Sequence, residues 1–163
     1  MCSKFSNSNN LTASIAEKRD PGFQLVVALE FYDGPEYGVA ILPNGEGVRF
    51  TSLGESRGRL FRAFKLELLH GDWRERCQMV QELRAHDPRQ VVFLPSERTD
   101  ELDNFEKRLR SEAVQQSYVG VADPYFQWVA AIPATQTCLE LSEAKGFRYV
   151  HKLLKSFDWS KTA

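Results

Sequence analysis

The segment that most constrains the fold is the apolar run "FQLVVALEF" at residues 23–31. It is rich in β-branched and aromatic residues, which favour strands. Alternate positions of a strand face opposite sides of a sheet, and both sets of positions are mostly apolar here. We therefore predict a central strand that is covered on both sides.

Two turn signals follow this strand and divide the next residues into further strands. The first is "DGPE" at residues 33–36, where Asp can bond nearby backbone, Gly permits positive φ and Pro restricts φ. The second is Asn44-Gly45, a dipeptide typical of tight hairpins. Strands at 37–43 and 48–53 would complete an antiparallel three-stranded meander, in which the acidic residues at 33–36 belong to a turn.

Two amphipathic helices are predicted beyond the meander, at 72–86 and 99–116, because apolar residues recur there at helical spacing. Thr99 is a suitable N-cap for the second helix, whose acidic residues precede its basic ones, as the helix dipole favours. A short apolar strand at 90–95 lies between the two helices. This order indicates helix-strand-helix units on a mixed sheet.

Residues 54–71 fit two patterns. A helix would place Leu60, Phe64 and Leu68 on one face, whereas a strand would alternate apolar and charged residues from Phe64 onward. The length of the segment favours the helix. Both alternatives keep this segment within the same domain.

The C-terminal part is predicted to hold one or two strands around the turn at 123–124, a short helix that ends at Gly146, and a last strand at 147–154. The chain of 163 residues suits one domain. We expect an α+β domain at 23–163, preceded by a flexible tail at 1–22 that is rich in Ser and Asn.

Composition and charge disfavour several classes of partner and compartment. The formal net charge of −1 lacks the basic excess that is usual in nucleic-acid-binding proteins. No apolar run approaches the roughly 20 residues that span a bilayer, so we expect no membrane partner. Cys2, Cys77 and Cys138 form neither a C-x-x-C pair nor an even-numbered disulfide set. Two buried thiols and one exposed thiol fit a reducing, cytoplasmic location.

Metal and nucleophile motifs are missing from the sequence. The three histidines, His70, His86 and His151, lie in different segments, and no H-x-x-x-H, H-E-x-x-H or G-x-S-x-G occurs. A structural zinc site needs about four clustered ligands. We therefore expect no cofactor and no zinc-type metal site.

Paired acids allow one enzymatic alternative. Three antiparallel strands followed by helix, strand, helix and strand resemble the element order of ribonuclease H-like enzymes. That resemblance implies an acid on the central strand, which is Glu30, and a second acid near the strand at 90–95, which is Glu97. Such acids would gather two Mg²⁺ ions for nuclease chemistry, with Asp123 as a candidate third ligand.

A glycine- and arginine-rich loop allows a second enzymatic alternative. If the segment at 54–71 opens a helix, the backbone near Gly54, Arg57, Gly58 and Arg59 could bind an anion. A meander, a Gly/Arg loop and a helix, with "LELSEAKGFRYV" later in the chain, is similar to N-acetyltransferases. The resemblance implies acyl transfer.

The leading hypothesis is a non-catalytic module that binds a protein partner or a small ligand, in a form that could be a homodimer. It leads because no catalytic motif stands out in the sequence. The nuclease-like and acyltransferase-like enzymes are the alternatives.

Overall fold

The structure is a computed structural model, and it gives residues 59, 81–84 and 91–93 by their backbone alone. The residues that it describes are 11, 14, 20–32, 34–84, 91–93, 99–123 and 126–154. None of the described helices is both long enough and apolar enough to cross a bilayer.

The described core is one seven-stranded sheet with the order β5-β1-β2-β3-β4-β6-β7. Neighbouring strands are antiparallel, except that β5 pairs in parallel with β1. The strands are β1 (Leu25–Phe31), β2 (Pro35–Ile41), β3 (Glu46–Glu55), β4 (Arg62–Asp72), β5 (Val91–Phe93), β6 (Val114–Ala122) and β7 (Trp128–Pro133).

The predicted meander is confirmed for β1, β2 and β3. The first connection is shorter than predicted, because Pro35 and Glu36 are part of β2 and do not belong to a turn. Val27 of β1 lies opposite Val39 of β2, and Val39 lies opposite Arg49 of β3. At the hairpin between β2 and β3, Gly45 has a φ of 93°, which the lack of a side chain permits. The amide of Gly45 donates to the carbonyl oxygen of Leu42 at 2.9 Å, which closes the turn.

The helix favoured for residues 54–71 is wrong, because β4 occupies most of this segment. Phe64 and Leu66 alternate with Lys65 and Glu67, as the strand alternative required. Each charged residue meets an opposite charge on its face of the sheet: Lys65 contacts Glu143, and Glu67 contacts Arg49. These partners come from distant parts of the chain. Because the charges of Lys65 and Glu67 are paired in this way, both residues are compatible with a strand at the centre of the sheet.

Four described helices accompany the sheet: α1 (Arg74–Arg84), α2 (Asp100–Ser111), α3 (Gln136–Lys145) and α4 (Phe147–Leu154). The first two confirm the predicted amphipathic helices, although α2 ends earlier than expected. Thr99 caps α2, since its hydroxyl oxygen accepts a hydrogen bond from the amide of Leu102 at 3.2 Å. As predicted, α3 ends at Gly146.

The last strand predicted at 147–154 is wrong, because these residues form α4. Val150 and Leu154 are buried and lie four positions apart, so they share one face of a helix, with half-buried Phe147 beside them. The same residues also fit a short alternating pattern. The helix prevails because this face packs against β3, β4, β6 and β7.

The helices cover two separate areas of one face of the sheet. Apolar residues of α1 and α2 pack with Val27 and Val39, and those of α3 and α4 pack with Val119 and Val121. Between these areas the middle strands carry polar residues. Arg49 lies opposite Glu67 there, and Thr51 lies opposite Lys65. The polar strip therefore divides the helical layer into two parts.

The opposite face of the sheet holds an aromatic cluster. Phe126 lies at its centre, with ring centroids 4.7 Å from Phe50, 5.2 Å from Phe64 and 5.1 Å from Trp128. Phe126 has a φ of 61°, which is uncommon for a residue with a side chain. Burial among these rings offsets the backbone strain, so Phe126 is part of the core although it lies between β6 and β7.

Two sequence expectations concern the ends of the domain and its topology. Leu11 and Ser14 are helical and fully buried, so part of the segment expected as a flexible tail packs onto the core. Most of residues 1–22 lies outside the described part of the chain.

The α+β class is confirmed. The ribonuclease H-like order is not, because the additional antiparallel strand β4 follows the meander and β6 pairs with it.

Candidate functional site

Two turns lie side by side at one end of the sheet, and Arg62 links them. Its guanidinium donates hydrogen bonds to the carbonyl oxygens of Tyr32, at 3.0 Å, in the turn after β1, and of Pro35, at 3.2 Å, the first residue of β2. It also donates to the Glu55 carboxylate at 3.1 Å, at the end of β3. Since Arg62 is only 8% exposed, these bonds hold the two turns together.

These two turns carry the large hydrophobic side chains that are exposed within the described residues. Phe31 is 47% exposed, Tyr32 62%, Leu60 64% and Phe61 38%. We call these four residues the turn patch. Single exposed hydrophobic residues are ordinary, but several that lie on neighbouring turns of a well-packed domain often mark an interaction site.

A cavity of about 450 Å³ lies beside the turn patch, on the side of the sheet that carries the helices. Its lining mixes carboxylates, hydroxyls and one guanidinium, and we call it the charged cavity. The described residues that line it are Glu30, Glu36, Tyr37, Thr51, Ser52, Gly54 and Arg110.

Arg110 organises the charges of this cavity. Its guanidinium lies 4.4 Å from the centre of the Tyr37 ring, 3.7 Å from the Glu30 carboxylate and 2.9 Å from the Glu106 carboxylate. Burial lowers the pKa of Arg110, but the hydrogen bond to Glu106 and neighbouring acidic groups raise it, so the net pKa lies above its usual value. The cation over the ring is therefore permanently charged.

Tyr37 forms the floor of the same cavity and is 9% exposed. Burial raises the pKa of its hydroxyl, although the charges of Arg110 and Arg49 oppose this shift. The phenol is consequently neutral near pH 7. A neutral phenol can donate or accept a hydrogen bond, but it is not poised as a base.

Only one of the two acids predicted for nuclease chemistry, Glu30, lies among the described residues. Glu30 is on β1, lines the charged cavity and contacts Arg110. The Glu30 side chain is 61% exposed, so this residue lies at the solvent-exposed end of the strand. Glu97 and its surroundings lie outside the described residues, although β5, the strand before it, does pair with β1.

The predicted anion-binding loop does not open an α-helix. Arg57, Gly58 and Arg59 form a short 3-10 turn that leads into β4. Gly54, at the end of β3, lines the charged cavity, whereas Arg57 and Gly58 are solvent-exposed. Only the backbone of Arg59 is described. The loop therefore lacks the helix N-terminus on which the anion-binding hypothesis depended.

Comparison with protein-family models, curated proteins and solved structures finds no match to this chain. Its chemistry must therefore be argued from the residues themselves. Among the described residues, no three His, Cys, Asp or Glu side chains are grouped closely enough to hold a metal ion. The charged groups around the cavity instead neutralise one another in pairs, such as Glu30 with Arg110 and Glu36 with Arg62.

Sequence reasoning missed the residues that define this end of the molecule. Arg62 belongs to the segment that fits two patterns, and Arg110 is one of the basic residues that follow the acids of a predicted helix. Besides their local contacts, each bonds to a distant part of the chain, Arg62 to Pro35 and Arg110 to Glu30. A local signal does exist for the turn patch. Phe31-Tyr32 and Leu60-Phe61 are paired hydrophobic residues next to glycine-containing turns, where at least one residue of each pair cannot face the core.

Proposed function

We propose that this chain is a protein-binding module that contacts its partner through the turn patch. The observation that carries the proposal is the location of the exposed large hydrophobic residues, which are Phe31, Tyr32, Leu60 and Phe61 on two adjacent turns. Aromatic residues contribute strongly to protein interfaces because they bury a large area with few rotatable bonds.

The surroundings of the turn patch suit an interface that binds in one orientation. Arg62 fixes the backbone of both turns, so the patch is preorganised and loses little entropy on binding. Charges of both signs lie around it, with Glu30, Glu36 and Arg110 along the charged cavity. A polar rim of this kind improves specificity and the rate of association more than affinity.

One partner that suits this hydrophobic surface is a second copy of the chain, because a two-fold interface would place each turn patch against its equivalent. The thiols of Cys77 and Cys138 are free, which supports placing the protein in a reducing compartment such as the cytoplasm. Size-exclusion chromatography with light scattering separates a homodimer from a module that needs a different partner.

The proposal is tested with Tyr32→Ser/Leu60→Ser, which removes the two most exposed members of the turn patch. Photo-crosslinking amino acids at these positions identify the partner in cells, and the purified partner is then titrated by calorimetry. We expect the double variant to weaken binding at least about tenfold, since interface anchors contribute about 1–2 kcal/mol each. If the partner is a second copy, the dimer should dissociate by light scattering.

The matched control is Gln24→Ser, an exposed residue just before β1, at the opposite end of that strand. It should leave affinity unchanged. Equal affinity of the wild-type and double-variant proteins for every crosslinked partner, together with a monomer at all concentrations, would rule out this function.

The metal-dependent nuclease remains the alternative proposal, supported by the parallel pairing of β1 with β5, which leads toward Glu97. The Arg110 contact to Glu30 argues against it, because a metal would have to displace this cation. Nuclease assays with Mg²⁺ on single-stranded and duplex substrates, with Glu30→Gln and Glu97→Gln as paired variants, test it. Activity that survives both substitutions excludes these acids.

Acyl transfer is the weakest proposal and rests on the loop containing Gly54, Arg57, Gly58 and Arg59. The 3-10 turn offers no α-helical N-terminus for a pyrophosphate. A thermal shift with acetyl-CoA that is lost in Arg57→Ala would support it. An unchanged melting temperature at saturating acetyl-CoA would remove it from consideration.

A further inference from the structure

A second cavity lies away from the turn patch, along the outer side of the last helix. Its volume is about 750 Å³, which is large enough for an organic ligand of nucleotide size. We call it the α4 groove. The described residues that line it are Lys145, Arg148, Tyr149, Lys152 and Leu153.

The helical repeat explains why these residues come together. Arg148 and Lys152 lie four positions apart on α4, and so do Tyr149 and Leu153, which places all four on adjoining rows of one helix surface. The opposite surface carries Val150 and Leu154 and packs on the sheet. The groove-lining residues are therefore held by a helix that is anchored from behind.

Three positive charges share this groove without a counterion among the described residues. Lys145, Arg148 and Lys152 take part in no described ion pair, and the nearby acid of α3, Glu143, contacts Lys65 instead at 2.7 Å. Like charges this close repel one another, so a bound anion would be favoured. The grouping is local, because the whole chain has a net charge of −1.

The groove also has an apolar side. Tyr149 and Leu153 are half-buried and pack against the apolar cluster of α3, α4 and the adjoining strands. A ring in this position can stack on a planar group of a ligand, as aromatic side chains stack on bases in single-stranded nucleic-acid complexes. An inorganic anion would leave this side unused.

We propose that the α4 groove binds a small phosphorylated compound with a planar ring, of the nucleoside phosphate class. Its phosphates contact Lys145, Arg148 and Lys152, and its ring stacks on Tyr149. This site is independent of the turn patch, and it involves no chemical step on the ligand.

Isothermal titration calorimetry tests the ligand class with three metal-free probes: ATP, tripolyphosphate and adenosine. We expect ATP to bind most tightly, tripolyphosphate at least about fivefold more weakly, and adenosine weakest of all. Affinity for ATP should fall steeply as salt concentration rises, because exposed charges are screened. Absence of ATP binding, or equal binding of ATP and tripolyphosphate, would overturn the proposal. Binding of polyglutamate in place of ATP would likewise overturn it, in favour of an acidic protein ligand.

Variants then locate the site. Arg148→Ala/Lys152→Ala should weaken ATP binding about tenfold, because it removes two of the three charges that contact the phosphates. Tyr149→Leu, which keeps an apolar side chain, should weaken ATP binding but not tripolyphosphate binding. The matched control, Lys107→Ala/Arg108→Ala, removes two exposed charges on α2 and should leave affinity unchanged. Equal losses in the control and in the groove variant would contradict the assignment, and circular dichroism confirms folding of each variant.

Discussion

Replacing Arg49 by methionine should be among the most damaging single changes in this protein. The Arg49 side chain is 10% exposed, and its Nε donates to the Glu67 carboxylate at 2.9 Å. One terminal nitrogen donates to the carbonyl oxygen of Leu109 at 2.6 Å, near the end of α2. The same group lies 3.4 Å from the carbonyl oxygens of two further residues there. Arg49 thus ties the centre of the sheet to the C-terminal end of α2, where the Leu109 carbonyl oxygen otherwise accepts a long hydrogen bond of 3.4 Å from the amide of Glu112.

The magnitude follows from what the substitution leaves behind. Glu67, at 15% side-chain exposure, would lose its cation, and the carbonyl groups that end α2 would lose their charged donor. Removing one partner of a buried ion pair costs about 3–5 kcal/mol. Because the pair retains some solvent contact, we expect Arg49→Met to lower the free energy of unfolding by about 3 kcal/mol. This corresponds to a melting temperature about 6–12 °C lower for a chain of this size.

Urea unfolding followed by circular dichroism measures this loss, and Lys65→Met supplies the control. Lys65 pairs with Glu143 on the same face of the sheet, but Glu143 is 53% exposed, so the control should cost less than about 1 kcal/mol. Adding Glu67→Gln to Arg49→Met should recover part of the loss, because the uncompensated carboxylate is removed. Equal destabilisation by the Arg49 and Lys65 substitutions would refute the argument that burial of the pair sets its importance.

Three further predictions concern backbone packing, thiol reactivity and pH. In urea titrations, Gly38→Ala should lower the free energy of unfolding by at least about 2 kcal/mol, because a β-carbon there would collide with the carbonyl oxygen of Val27. A smaller loss would contradict this, because it would show that the strands can separate. Burial raises the pKa of the Cys77 thiol, so an alkylating reagent should react with half-buried Cys138 in the native protein but with Cys77 only in denaturant. Peptide mapping locates the label, and labelling of both thiols at one rate in the native protein would contradict this prediction. Because burial also raises the pKa of Tyr37, the unfolded chain loses this proton first as pH rises above about 10, and stability should fall by up to about 1.4 kcal/mol per pH unit. Tyr37→Phe should reduce this slope, and identical slopes would refute it.

Local patterns predicted the elements whose signals are chemical and short-range. The Asn44-Gly45 turn, the Thr99 cap and the Gly146 helix end each depend on a few consecutive residues, and all three occur in the structure. The two errors, β4 and α4, have patterns that fit either a helix or a strand. Packing against distant segments decided between the alternatives, and this information is not local.

The candidate site was predictable only in part. Glu30 and Gly54, which the sequence analysis selected, do line the charged cavity, although the roles assigned to them are untested. The sequence places Arg110 only among the basic residues that follow the acids of a predicted helix, and its position over Tyr37 depends on how α2 crosses the sheet. The exposure of the turn patch likewise depends on the tertiary structure, because it is set by how other parts of the chain pack around the two turns.

The sequence by itself determined where the chain forms its first strands and turns, since apolar alternation and glycine-containing dipeptides act over a few residues. It also determined the apolar stripes of α1 and α2 and a nearly neutral charge. Only the tertiary structure decided that β4 is a strand, that Arg49 is buried beside Glu67, and that exposed hydrophobic residues and cations without a described counterion lie on two separate surfaces. The physical reason is that burial and ion pairing depend on neighbours brought together by folding, and residues 18 or more positions apart supply them.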